Sequence, residues 1–227
     1  MTYRGLVLFD IDGTLLRRAG PHHKEAVVAA VRRVTGIDAC IDGIPLHGML
    51  DPDIIAAMLA NAGATRAEVR RVMPEIVLRA QSIYVRNCPP ELRRRVCPGV
   101  RALLRRLERA SAVMGLVTGN LTRIGWTKMR RAGLSEYFRF GAFGEMARTR
   151  TALARLAIAR ARREGWIARG APVALIGDTP ADIIAARESG AVSVAVATGV
   201  VPAEQLREYA PDLLVDDLRA LRPGMIL

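Results

Sequence analysis

The stretch Gly5-Leu-Val-Leu-Phe-Asp-Ile-Asp-Gly-Thr14 decides the fold. Its first half is a short continuous apolar run, and its second half is a turn carrying two carboxylates. An apolar run without polar alternation reads as a strand buried on both faces, the habit of a parallel sheet. Three later runs repeat the arrangement. Ala112-Val-Met-Gly-Leu-Val117 ends at Thr118-Gly-Asn120, Pro172-Val-Ala-Leu-Ile176 ends at Gly177-Asp178, and Val192-Ser-Val-Ala-Val196 ends at Ala197-Thr-Gly199. A weaker candidate, Leu213-Leu-Val215, runs into Asp216-Asp217.

Helical segments lie between these runs. Thr179-Pro180 supplies an N-cap and a first-turn proline for Ala181–Glu188, and Gly190 follows the last turn. Pro98-Gly99 precedes a Leu103/Leu104/Leu107 stripe, and Thr151 to Arg163 carries apolar residues at Leu153, Leu156 and Ile158. Arg17 to Arg94 differs in kind, with helical periodicity throughout and no convincing strand. Asp51-Pro52 opens one helix there, with Asp51 as its N-cap, and Gly63 closes it. Thr65 and Glu68 form a capping box for the next, which Pro74 is expected to break or kink. The predicted class is α/β: a Rossmann-like parallel sheet with helices on both faces, formed by residues 1–16 and 95–227, plus an all-helical cap domain inserted over 17–94.

Composition narrows the function. The chain has 227 residues, 51% hydrophobic and only 4% aromatic, so its core is built from aliphatic side chains. The net charge of +12 is almost all arginine, Lys24 and Lys128 being the only lysines. The arginines are scattered along helical stretches without interleaved aromatic residues, which reads as solvated helix faces rather than a nucleic-acid platform. Such a field still draws anionic substrates. Cys40, Cys88 and Cys97 are odd in number and lack C-x-x-C spacing, so free thiols are expected rather than disulfides or zinc. Neither a signal peptide nor a membrane span is read, and the expectation is a cytoplasmic protein, monomer or homodimer, with no nucleic-acid or membrane partner.

Open parallel sheets bind ligands along the carboxyl edge of their strands. That edge would gather Asp10, Asp12, Thr118, Asp178 and the nearby Asp182. Two carboxylates about 4 Å apart repel by roughly 4 kcal/mol at an effective dielectric near 20. Such a cluster calls for a cation, and hard oxygen donors without His or Cys suit Mg²⁺. A phosphate ester completes the reading. Asp10 attacks phosphorus to give an aspartyl-phosphate, and Asp12 protonates the leaving alcohol and then deprotonates water. N–H groups of the Asp10–Thr14 turn, with Thr118 and Asn120, offer donors to the transferring group.

Asp10-Ile-Asp-Gly-Thr14, Thr118-Gly-Asn120 and Gly177-Asp-Thr-Pro-Ala-Asp182 resemble the first, second and fourth motifs of the haloacid dehalogenase superfamily, closest to its phosphoglycolate phosphatase-like members with a helical cap. The resemblance spans the whole chain in order. It implies that Asp10 is nucleophile and metal ligand, that Asp12 is acid/base and binds metal through its carbonyl, that Asp178 completes the metal ligands, and that Asp182 stands behind them. Thr118, Gly119 and Asn120 would bind the substrate phosphate. The acid at position 12 points to a phosphatase rather than a dehalogenase, acting on a small phosphorylated metabolite. The usual third-motif lysine is missing from Ala147-Arg-Thr-Arg-Thr-Ala-Leu153. Arg150 is the best positional match for phosphate binding there, and Arg148 the runner-up.

Other residues read more plainly. His22, His23 and His47 lack acidic partners at ligand spacing and are expected in surface or packing roles. Trp126 and Trp166 read as packing residues. Gly48-Met-Leu-Asp51 also resembles a cap segment near the substrate. Two rival functions stand beside phosphate hydrolysis: a sugar-phosphate mutase of the same superfamily, and a non-catalytic basic binding protein.

Overall fold

The computed structural model describes residues 3–17 and 20–227. It contains the expected α/β sheet. Six parallel strands lie in the order β3-β2-β1-β4-β5-β6, where β1 is Gly5–Phe9, β2 Ala112–Val117, β3 Phe140–Ala142, β4 Val173–Gly177, β5 Val192–Val196 and β6 Leu213–Val215. The order reverses about β1, which pairs with β2 on one side and β4 on the other. A crevice opens at such a reversal, beyond the carboxyl ends of the strands.

Alternation along β1 sorts its side chains to two faces. Val7 and Phe9 join one core with Leu116 and Ile176, covered by Leu103, Leu104 and Leu107 of α4 (Val100–Arg109) and by α5 (Thr122–Ala132). Leu6 and Leu8 join the other with Val117 and Leu175, covered by α6 (Arg150–Arg163) and α7 (Pro180–Ser189). Trp126 and Trp166 pack against Phe143 and Phe140, at ring-centroid separations of 5.8 and 5.1 Å. β3 escapes sequence reading because Phe-Gly-Ala is too short for a period and lies at the sheet edge.

After the β1 turn come α1 (His22–Thr35), α2 (Asp51–Asn61) and α3 (Arg66–Asn87). Among the described residues between Arg17 and Arg94 there is no strand. The two ends of this segment lie side by side: Arg17 N–H donates to Arg95 O at 2.8 Å, and Cys97 N–H donates to Leu15 O at 3.0 Å. The Thr65/Glu68 capping box forms at the start of α3. Pro74 does not end that helix, which runs for 22 residues through it. Proline removes one main-chain donor, but Pro74 is exposed, so water can reach the carbonyl left unpaired on the previous turn. No described helix is long and apolar enough to cross a membrane.

Pro74→Ala restores that hydrogen bond and relieves the ring clash. It should raise the unfolding free energy by about 1–3 kcal/mol in urea titrations. Unchanged or lower stability would mean that the packing of α3 depends on Pro74.

Candidate active site

Asp10, Asp12, Thr118 and Asp178, each at or just past a strand end, border one cavity of about 830 Å³, with Arg150 beside them. Parallel pairing of Phe9 with Ile176 sets Asp10 and Asp178 next to each other, each just past its strand. Asp10, Asp178 and Asp182 offer carboxylate oxygens all within 4.8 Å of one another, and all three are buried. Such crowding needs backbone without side chains. A Cβ at Gly199 would lie 1.8 Å from Asp178 Oδ2, and one at Gly13 2.1 Å from it.

The three carboxylates differ in what holds them. Both oxygens of Asp182 are engaged: Oδ1 accepts from Arg150 Nη1 at 2.5 Å, and Oδ2 accepts from Thr179 N–H at 3.1 Å and Thr179 Oγ1 at 2.6 Å. It therefore both caps α7 and anchors Arg150. Asp178 Oδ1 accepts from Thr14 Oγ1 at 3.0 Å, a contact with no counterpart in the sequence reading. Asp10 Oδ1 lies 3.3 Å from Arg150 Nη1 but is not aligned for a hydrogen bond, so it is buried without a partner.

Electrostatics follow from this. Burial, opposed by Arg150, pushes the Asp10 carboxyl up to about 6. Burial and then the Asp10 charge push Asp178 up to about 8. Burial works against the Arg150 charge, yet Asp182 and Asp10 outweigh it and keep the guanidinium firmly protonated. Three buried carboxylates against one guanidinium leave two negative charges in the fully ionised site. An orphaned carboxylate oxygen, a hard-oxygen donor set and that charge fit a divalent cation held by Asp10 and Asp178.

Asp12 turns away from this trio. Its Oδ2 accepts from Lys128 Nζ at 2.5 Å and from Asn120 Nδ2 at 2.8 Å. Burial alone would raise its pKa, but Lys128, His23 and Asn120 together hold it below the usual carboxylate range. Asn120 is fully engaged: Nδ2 also donates to Thr118 Oγ1 at 2.8 Å, and Oδ1 accepts from Lys128 at 2.6 Å. Its side chain thus orients Asp12 and Thr118. In the β1 turn, Gly13 N–H is likewise engaged, donating to Leu16 O at 2.7 Å.

Arg150 reaches the site, and Arg148 is exposed. Two other expectations fail. Asp51 is not the N-cap of α2, which is Leu50; its carboxylate is buried and accepts from Leu121 N–H at 2.8 Å. Nor is His23 without an acidic partner, since its Nε2 lies 2.8 Å from Asp51 Oδ2. The sequence reading missed Lys128 altogether. The available signal was its place on α5, four residues from both Ile124 and Ala132, which are buried.

A family model described as haloacid dehalogenase-like hydrolase matches residues 5–190. The chain belongs to this family. As a hydrolase it has distant curated relatives. Phosphoglycolate phosphatase from Synechococcus elongatus is 27% identical over 213 residues, covering 92% of each chain. Phosphoglycolate phosphatase from Pseudomonas fluorescens is 26% identical, covering 97% of this chain and 79% of its own. Among solved structures, CbbY from Rhodobacter sphaeroides in complex with phosphate superposes with TM-score 0.71 at 20% identity, covering 99% of both chains. β-Phosphoglucomutase from Clostridium difficile gives TM-score 0.71 at 20% identity, covering 98% and 95%. These structures share the fold.

The raised carboxyls give a testable linkage. A folded-state pKa above the unfolded value means that the fold retains protons the unfolded chain has released, so the contribution to stability falls as pH rises from about 4 toward 8. In EDTA, Asp178→Asn should flatten that part of the melting-temperature profile and melt higher than wild type at pH 8. It should also lose the stabilisation that added divalent ion gives wild type. Parallel profiles for the two proteins would refute the assignment of the strain to Asp178.

Proposed function

We propose that this hydrolase is a Mg²⁺-dependent phosphatase that cleaves a small phosphate monoester through an aspartyl-phosphate on Asp10. The observation that carries the reading is the unpartnered, buried Asp10 Oδ1 beside Arg150 and Asp178, in the lining of a cavity sized for a small metabolite. Two relatives bearing the name phosphoglycolate phosphatase support a small anionic ester as substrate.

Asp10 and Asp178, with the carbonyl of Asp12, would hold Mg²⁺, which supplies charge neutralisation between carboxylate and phosphate. Arg150 steadies Asp10 and adds positive charge near the transferring group. Thr118, buried at the end of β2, accepts from Asn120 and keeps its hydroxyl proton for a phosphate oxygen. A carboxylate oxygen of Asp10 bonds to phosphorus as the ester P–O bond breaks, and Asp12, protonated from solvent once the anionic ester is bound, gives that proton to the departing oxygen. Water then attacks phosphorus, Asp12 takes its proton, the bond to Asp10 breaks, and inorganic phosphate leaves. The segment 17–94 serves as the cap domain over this cavity, to which the loop between α1 and α2 contributes His47, Gly48 and Met49.

A metabolite panel with p-nitrophenyl phosphate, assayed for free phosphate with Mg²⁺ and with EDTA, tests the reading. Release should need Mg²⁺ and fall at least about a thousandfold in Asp10→Asn, the scale of losing a nucleophile. Phosphate returned to the sugar without accumulating would mark a mutase instead, and full turnover by Asp10→Asn would end the proposal. Arg150→Ala should lower kcat about ten- to a hundredfold; near-normal kcat would remove Arg150 from the machinery.

A further inference from the structure

Lys128 belongs to none of the motifs that carry the family resemblance, yet only 1% of its surface is exposed. Its ammonium meets Asp12 Oδ2 at 2.5 Å, Asn120 Oδ1 at 2.6 Å and His23 Nδ1 at 3.2 Å. An ammonium has three protons to donate, so its capacity is filled. The Tyr84 ring centroid lies 5.9 Å from Nζ. Lys128 only donates and Asp51 only accepts, which places the His23 ring proton on Nε2, toward Asp51.

Taking an ammonium out of water costs several kcal/mol by general estimates, so a buried lysine with so many assigned contacts calls for a role. A plain counter-ion would bridge a carboxylate in any orientation. Here Lys128 and Asn120 both donate to one oxygen, Oδ2, while Oδ1 of Asp12 takes no donor from the described residues in a side chain 39% exposed. One oxygen is pinned and the other is open.

We propose that Lys128 is a positioning residue for phosphoryl transfer: with Asn120 it clamps Asp12 Oδ2, so that Oδ1 alone exchanges the proton with the leaving oxygen and with water. This rests on the reading of Asp12 as acid and base. His23 and Asp51, on α1 and α2, brace the clamp from the inserted helices. Asp12 is ionised in the free enzyme. The phosphate dianion bound beside it favours protonation, and Oδ1 takes up a proton from solvent. In the first step that proton passes to the ester oxygen as its bond to phosphorus breaks. In the second, Oδ1 takes a proton from the attacking water. Lys128 keeps its three protons throughout.

Two esters of similar shape test this, because p-nitrophenolate leaves readily unprotonated and phenolate needs the acid more. Lys128→Met should lower kcat on phenyl phosphate about tenfold more than on p-nitrophenyl phosphate, with Mg²⁺ affinity by titration within twofold of wild type. Lys128→Arg should recover part of the loss, and methylammonium should rescue Lys128→Ala on phenyl phosphate. His23→Ala, at the partly buried brace, should show the same skew in weaker form and carries the test if Lys128→Met fails to fold. Equal losses on both esters, or none, would overturn the positioning role while leaving the phosphatase reading intact. A wild-type enzyme inert on both esters in Mg²⁺ would sink that reading and this role with it.

Discussion

Three carboxylates packed against one another under a layer of protein are the constraint to which the rest of this site answers. The arrangement follows from the sheet: parallel register between β1 and β4 leaves Asp10 and Asp178 no choice but adjacency. Glycine answers the steric side, since a side chain at Gly13, Gly177 or Gly199 would collide with Asp178 or Asp182. Arg150 answers part of the electrostatic side and does so through Asp182, whose tight contact fixes the guanidinium close to Asp10. Charge beyond the reach of one arginine is left at the cavity face, where a divalent ion and a phosphate would meet it.

What the sequence revealed and what it hid divide along a physical line. Asp10, Thr118 and Asp178 were legible because a buried parallel strand has a local signature and its end has a fixed place in the fold. Arg150 was legible only by position, at the start of a helix where the family expects a lysine. Asp51 followed the local rule for an Asp-Pro helix start, and a tertiary contact with Leu121 N–H overrode that rule. His23, Lys128 and Asp12 come from distant stretches, and no spacing on one element announces their meeting. Pro74 does not break its helix, because the cost of a mid-helix proline depends on which face it occupies.

The exchange of lysine for arginine at the third motif also looks different with side chains in place. A lysine offers a point charge on a flexible stem, whereas a guanidinium is planar and rigid. Arg150 uses one terminal nitrogen for both Asp182 and Asp10, at 2.5 and 3.3 Å, and its Nε remains buried without a partner. An unpartnered donor on a buried cation is costly. The missing lysine is therefore replaced in charge, and the replacement brings an extra unsatisfied donor to the site.

The two working carboxylates of the proposed mechanism answer to different parts of the molecule. Asp10 is held by elements of the sheet and by α6 and α7. Asp12, only two residues on, is held by α5 and, through His23 and Asp51, by helices of the insertion. Asp51 N–H also donates to Gly119 O at 2.9 Å, and a Cβ at Gly119 would lie 2.3 Å from Met49 O, so the insertion meets the second motif at close range. In the proposed mechanism a cation on Asp10 and Asp178 would rest on core elements, whereas the orientation of Asp12 draws also on the inserted helices. The proton-transfer geometry of that mechanism would therefore depend on how the inserted helices seat against α5, and the nucleophile and the ligands of the cation would not.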